Sequence, residues 1–364
     1  MATTEPGTEL TLDTAAELAA AEEGRTITGK SPWLLAWYRL RRNYVAFAFL
    51  ALFVVILLAC GLAGVYSHHL AHTGPNDNHV SDTIKVGSRT VPVISKGGVT
   101  IVSGKVTLRP AGAPIGPQWW HAGGRFVLGA DKNGRDIAVR TLYGGRNSLI
   151  VGIGSALICT AVAVVLALLA GYFGGITDWI ISRFFDLIWA FPVILLGIAL
   201  GSALEINGFH HFGLNVGPGS LWIPTLVISY VLIPYVGRPL RGQVLSLREK
   251  EFIEASVAQG ATPLRVMFAE IMPNVVSSTL VLFTLIVASN ILTEAALSFL
   301  GAGVQPPNPS WGNMIADGQD TIVTAPWLAF APGIALVLTV LSLNIFGDGL
   351  RDALDPRAKV RMEH

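Results

Sequence analysis

Long apolar runs separated by shorter polar segments set the pattern of this chain. Six of them, Tyr44–Tyr66, Ser148–Tyr172, Ile180–Leu204, Leu221–Leu240, Val275–Leu300 and Trp327–Phe346, have the length that crosses a hydrocarbon layer of ~30 Å at ~1.5 Å per helical residue. The pattern predicts an all-α polytopic membrane protein with six transmembrane helices and both ends on one side. Ahead of the first run, Trp33–Asn43 mixes tryptophan and tyrosine with Arg39, Arg41 and Arg42, as an interfacial helix does.

The polar segments decide orientation. The connections Ser202–Gly219 and Ala302–Pro326 contain no lysine or arginine, whereas Arg238, Arg241, Arg248, Lys250 and Arg265 crowd one connection and Arg351, Arg357, Lys359 and Arg361 the carboxyl tail. Short loops rich in these residues stay in the cytoplasm, which places both termini and the connection around residue 260 inside. The Ser67–Asn147 segment is basic yet falls outside, because long segments translocate largely regardless of charge. Within it the β-branched runs TIKV, TVPVI, VTIV and KVTL predict a small β-meander or a pair of hairpins over Thr83–Leu108. Trp119 and Trp120 close this insert, set to rest on the membrane surface or on the rim of a partner.

The stretch EFIEASVAQGATPLRVMFAEIMPN, Glu251–Asn274, is polar and punctuated between two apolar runs. Glu249–Ala258 can form a short helix, Gly260 suits the left-handed position that ends one, Thr262 can cap a second, and Pro263 fits its first turn. Ala255, Ser256, Ala258, Gly260 and Ala261 leave little bulk at the elbow, as close packing into another protein's groove requires. Local pattern alone does not separate such a docking element from an ordinary cytoplasmic loop.

Composition agrees with the membrane reading: 52% of residues are hydrophobic and 13% charged, against ~25% charged in soluble domains. The formal net charge of +1 gives no nucleic-acid signal. Cys60 and Cys159 both fall inside apolar runs, so no disulfide framework is expected. The amino-terminal segment is acidic and alanine-rich with no apolar core of a signal peptide; it reads as a retained flexible tail or frayed helix.

Candidate chemistry is sparse. Gly24–Ser31, GRTITGKS, matches the phosphate-loop pattern formally, but no strand precedes it, Pro32 follows it, and the context required for a nucleotide site is missing. His68, His69, His72, His79 and His121 with Asp77, and His210 with His211 in a second outer loop, lack a carboxylate or cysteine set that completes a metal geometry. Arg183 and Asp186 lie one turn apart on the third span and can neutralise each other, sparing part of the ~2.5–3.5 kcal/mol each costs at mid-membrane. Glu294 lies deep in the fifth span without a basic partner in the sequence, and its readings are helix packing first and a pathway role second. No nucleophile triad, zinc motif or carboxylate pair supports an enzyme.

The chain resembles the inner-membrane permease subunits of the dipeptide, oligopeptide and nickel class of ABC importers. Glu254, Ala255, Ser256, Gly260 and Pro273 occupy that family's EAA-x3-G pattern and its closing Leu-Pro, with Ser256 in place of an alanine and Met272 in place of the leucine. LGADKNGRD, AGYFGG, RPLRGQVLSLREKEFIEAS, EAALSFLGAGVQPPNPSWGNMI and GDGLRDALDPR are similar too, covering about Leu128–Arg357, with a weaker likeness over the first span. The acidic tail and the long insert depart from the pattern.

The resemblance implies the type I importer permease fold and a division of labour. ATP and Mg would be bound by two separate ATP-binding subunits, with none in this chain, and an extracytoplasmic substrate-binding protein and a second homologous permease would complete the complex. Glu254 would make the polar contact to an ATPase, Ala255 and Ser256 the close packing and Gly260 the turn; Gly260 and Pro263 would fix a compact elbow, with Ala261 and Pro273 completing the ATPase-coupling positions. The expected organisation is residues 1–43 as tail and interfacial helix, 44–66 as the first span, 67–147 as the insert and scaffold segment, 148–347 as the permease core with the coupling loop at 241–274, and 348–364 as the carboxyl tail. The competing reading is an autonomous channel or secondary transporter, which calls for inverted repeats and broken helices around a midplane site. Pro224 and Pro234 hint at a kink in the fourth span, but no counterpart half-repeat is visible.

Overall fold

The computed structural model describes residues 32–87, 89–102, 105–211 and 214–354. The acidic tail with its GRTITGKS stretch, and Arg357, Lys359 and Arg361, lie outside them. Helix α1 (Pro32–Arg42) leads into α2 (Tyr44–Gly61) through Asn43, whose side chain accepts from the Ala46 N–H at 3.1 Å. After the insert come α3 (Ile137–Phe173), α4 (Gly175–Trp189), α5 (Val193–Asn207), α6 (Trp222–Arg248), α7 (Glu251–Ala258), α8 (Met272–Phe299), α9 (Trp311–Gln319) and α10 (Trp327–Leu354). Among the described residues five helical segments are long and apolar enough to cross a membrane, and the α4–α5 pair makes a sixth crossing if it is counted as one span.

That pair corrects one expectation. The run Ile180–Leu204 is not a straight helix: α4 and α5 meet at 88°. Pro192 has no N–H to donate and disfavours helical geometry at Phe191, so the chain turns at Ala190–Pro192 although the run is apolar throughout. The second span also begins earlier than its apolar stretch. The first turns of α3 carry Arg140, which is buried and donates to Pro75 O at 3.0 Å and to Asn76 Oδ1 at 3.2 Å, so its charge is satisfied by the insert.

The core lies between α3, α6 and α8. Small residues let backbones approach closely: a Cβ on Gly152 of α3 would collide with Ile291 of α8, and one on Gly237 of α6 would lie 2.5 Å from the Phe185 ring of α4. Polar side chains hold the same helices together. The buried Asn290 amide bonds Ser155 Oγ at 2.8 Å, and Ser229 Oγ donates to Ser155 O at 3.2 Å and Thr225 O at 2.6 Å. Bonds of this kind contribute about 0.6 kcal/mol each on average inside a membrane.

The insert contains a pair of hairpins rather than a meander. Strand β1 (Thr83–Val86) pairs antiparallel with β2 (Arg89–Pro92), and β3 (Gly98–Val102) with β4 (Lys105–Arg109), in two separate sheets. Ile84, Val93, Ile94, Ile115, Phe126 and Ala130 give it a small core of its own. Asp136 ties that core to α3: it accepts from Phe126 N at 2.5 Å, Ala138 N at 2.8 Å and Val139 N at 3.2 Å. Burial pushes its carboxyl above the ordinary carboxylate range, while these main-chain donors pull it back. A further hairpin, β5 (Phe209–His211) with β6 (Leu214–Val216), occupies the connection that holds His210 and His211.

Helix α9 was not anticipated within Ala302–Pro326. Ser310 and Asn313 form a capping box, and Trp311 is fully buried with Nε1 donating to Thr141 O at 3.0 Å. At the opposite end, Ala353 of α10 packs against Leu40 and Ala46.

Candidate functional site

The elbow after α6 is built by three devices. Helix α7 starts at Glu251, two residues later than the pattern predicts, because Glu249 closes α6 and Lys250 takes an extended conformation. Glu251 and Glu254 occupy its first turn, where carboxylates complement the helix dipole. It ends in a Schellman motif: the Gly260 N–H donates to Val257 O at 2.9 Å, the Ala261 N–H donates to Ser256 O at 3.1 Å, and Gly260 has φ +85°.

The exit differs from two short helices. Thr262 holds the capping position before Pro263 but makes no side-chain cap bond. The turn Pro263–Arg265 runs into a π-helical turn, Val266–Ile271, and on without a break into α8. The apolar segment therefore forms one rod from Pro263 to Phe299. Pro273, in the first turn of α8, lacks the N–H that an α-helix would bond four residues back. A π turn just before a proline is a recognised way to absorb that conflict.

The elbow has one buried face and one open face. Ile253, Val266, Met267 and Ile271 are buried in the main core. Glu254, Ala255 and Gly260 are exposed, with Ser256 and Ala261 half-buried, around a concavity of about 330 Å³ that reaches Arg265 and Glu270. Sequence reasoning missed four exposed apolar side chains of the elbow: Phe252, which lines the concavity, is 43% exposed, Val257 50%, Leu264 65% and Phe268 53%. Two precede the turn and two follow it, seven positions apart across it, so no single helix carries them as a stripe. The Glu254 side chain has no hydrogen bond or ion pair among the described residues.

The second group of candidates sits on α4, between the break and Gly174. Arg183 Nη1 donates to Asp186 Oδ2 at 3.0 Å, and Arg238 Nη2, from α6, donates to Asp186 Oδ1 at 2.6 Å. Arg238 also lies over the Trp189 ring at 3.9 Å from its centroid, and Trp189 stacks edgewise on Tyr235 at 5.3 Å. A second ion pair, Arg241 with Asp178, joins the same two helices. Arg238 is far from Asp186 in sequence, which is why the local pattern showed only half of this cluster.

Glu294 is elsewhere and fully buried. Its Oε1 accepts from Ser298 Oγ at 2.6 Å, and that hydroxyl accepts from the Val304 N–H at 2.9 Å. It thus ties the end of α8 to the loop that leads to α9. The histidines are dispersed among separate partners: His79 lies 2.7 Å from both Asp82 Oδ2 and Thr73 Oγ1, His121 Nδ1 lies 3.1 Å from Gln118 O, and His210 Nδ1 lies 3.3 Å from Asn215 Oδ1. Among the described residues no group of three or more His, Cys, Asp and Glu could hold a metal ion.

Comparison with known proteins identifies the family. The family described as the inner membrane component of binding-protein-dependent transport systems matches residues 163–360, over half of the chain, and the N-terminal TM domain of oligopeptide transport permease C matches residues 31–83. A dipeptide transport system permease protein of Alkalihalophilus pseudofirmus is 44% identical over 64% of this chain and 72% of its own length. A glutathione transport system permease protein of Pectobacterium atrosepticum is 34% identical over 91% of this chain and 93% of its own. A di/tripeptide transport system permease protein of Pseudomonas aeruginosa is 39% identical over 67% and 76%. The chain belongs to the binding-protein-dependent transport system inner membrane component family, the non-catalytic, multi-pass permeases of ABC importers that work with ATPase subunits and a substrate-binding protein.

Proposed function

We propose that this permease imports peptides or a closely related small solute and takes its energy through the elbow at Glu251–Pro273. It pairs with a second homologous permease, and two ATP-binding subunits hold ATP and Mg below them. Both termini and the elbow face the cytoplasm, and the insert faces the binding protein. What supports this substrate class is the likeness to permeases of dipeptide, di/tripeptide and glutathione transport systems.

One observation carries the coupling role: a rod continuous with α8 starts in an exposed turn whose apolar side chains Phe252, Val257, Leu264 and Phe268 the described residues leave exposed. Glu254 supplies the polar contact, Ala255 and Ser256 the close packing, Gly260 and Ala261 the turn. Pro263 and Pro273 stiffen the exit, so closure of the ATPase pair against the elbow tilts α8 and alternates access across the membrane. Arg183 and Asp186 belong to the path face, and Glu294 holds the loop at the far end of α8.

The test is co-purification. A tagged chain expressed with its neighbouring transport genes should bring down two ATPase copies and a second permease, and the complex should take up peptide only with ATP and binding protein. A chain that transports alone contradicts the reading. For the insert, excising Gly98–Arg109 leaves Ile84, Val93 and Ile94 in place and should weaken the binding protein's affinity; unchanged affinity and transport would leave the hairpin a passive decoration.

A further inference from the structure

The cluster of Arg183, Asp186 and Arg238 lies on a face of α4 and α6 that the described residues leave uncovered. The three side chains are 64%, 46% and 34% exposed, and the neighbouring Trp189 and Tyr235 rings are exposed as well. Arg183, Asp186 and Trp189 lie on α4, ahead of the 88° break, and Tyr235 and Arg238 on α6. Charged groups near the end of a span face water, the headgroup layer or a protein partner rather than the lipid core.

Charge and geometry define what the face can hold. Two guanidinium groups stand against one carboxylate, and each oxygen of Asp186 is already taken by one of them. Each guanidinium has five N–H donors, and a single bond to Asp186 is what each makes among the described residues, so donors remain on both. Trp189 fixes the plane of Arg238 from one side. A planar fork held in this way matches a second carboxylate bidentately. Asp186 keeps the site only half charged, so an anion is attracted but not trapped, as passage requires.

We propose that Arg183 and Arg238, held by Asp186, line the aqueous path through the permease and receive the carboxylate of the passing solute. On the peptide reading above, on which this assignment rests, that group is the free C-terminal carboxylate, the one anion that peptides of every sequence share.

The experiment uses the complete complex in proteoliposomes, with trialanine and trialanine amide as probes. Cys60 and Cys159 are buried, so a charged, membrane-impermeant thiol reagent reports an introduced cysteine. Arg183→Cys should react with it and trialanine should slow the reaction. An unreactive Arg183→Cys means that lipid or the second permease covers the face, and the assignment falls. The wild type should prefer the free acid over the amide, and Arg183→Gln with Arg238→Gln should cut that preference about tenfold or more, with Arg183→Lys intermediate. A wild type that carries neither compound counts against the peptide reading and takes this assignment with it. A wild type that prefers the acid while the glutamine variant keeps the full preference overturns the assignment alone.

Discussion

The main-chain N–H of Ala261 donates to the carbonyl oxygen of Ser256 at 3.1 Å, closing the elbow across Gly260. This bond needs Gly260 at φ +85°, a conformation that costs other residues roughly 1–2 kcal/mol. A Cβ at Gly260 would meet nothing within 4 Å, so the chain itself offers no steric obstacle there. Gly260→Asp should abolish uptake and substrate-stimulated ATPase activity while membrane insertion stays intact. Gly260→Asn, which tolerates the left-handed conformation better, should retain part of both. Both are read in reconstituted vesicles, and wild-type coupling in Gly260→Asp would show that the elbow's shape is unimportant.

The exposed apolar side chains of the elbow make a separate prediction. Leu264 and Phe268 are more than half exposed, so Leu264→Asp and Phe268→Asp should change the thermal stability of the isolated permease little, by about 0.5 kcal/mol or less. If an ATPase subunit buries them, each change should cost about 2 kcal/mol of association. The ratio of ATPase to permease after affinity purification reports this directly.

Glu294 tests the loop at the other end of α8. Glu294→Ala leaves the Ser298 hydroxyl, which also accepts from Val304, without its acceptor in a buried site. The expected loss is about 1–3 kcal/mol, seen as a lower unfolding temperature in detergent. Glu294→Gln keeps an acceptor oxygen and should lose less; equal losses would mean that the hydrogen bond to Ser298 contributes nothing.

Close helix packing gives a fourth prediction. Gly152 faces Ile291 with no space for a Cβ, so Gly152→Ala should overpack α3 against α8 and destabilise by about 1–3 kcal/mol. Adding Ile291→Val, which makes room at the contact, should recover part of the loss in the same unfolding assay.

The sequence made some of this legible and hid the rest for physical reasons. Apolar runs of membrane length are self-declaring, so the crossings were readable, and Gly260 with Pro263 announced the elbow. The bend at Ala190–Pro192 was hidden because residues on both sides are apolar, and only Pro192 marked it. Helix α9 escaped because nine residues are too few for a periodic signal, although Ser310 and Asn313 sat at capping spacing. The partnership of Asp186 with Arg238 crosses 52 positions, and no local pattern reaches that far. The exposure of Phe252, Val257, Leu264 and Phe268 needed the packing of the elbow before it could be seen.

The central claim, that the elbow carries the ATPase's motion into the permease, is met most directly by cross-linking. Ala255 is exposed beside the elbow's concavity, and Ala255→Cys adds little bulk. In the assembled importer, a short bifunctional thiol reagent should join this position to a cysteine introduced on the ATPase groove, with a yield that changes between the nucleotide-free and vanadate-trapped states. A transport-competent complex in which Ala255→Cys never cross-links to the ATPase, in either state and across a scan of groove positions, would contradict the account.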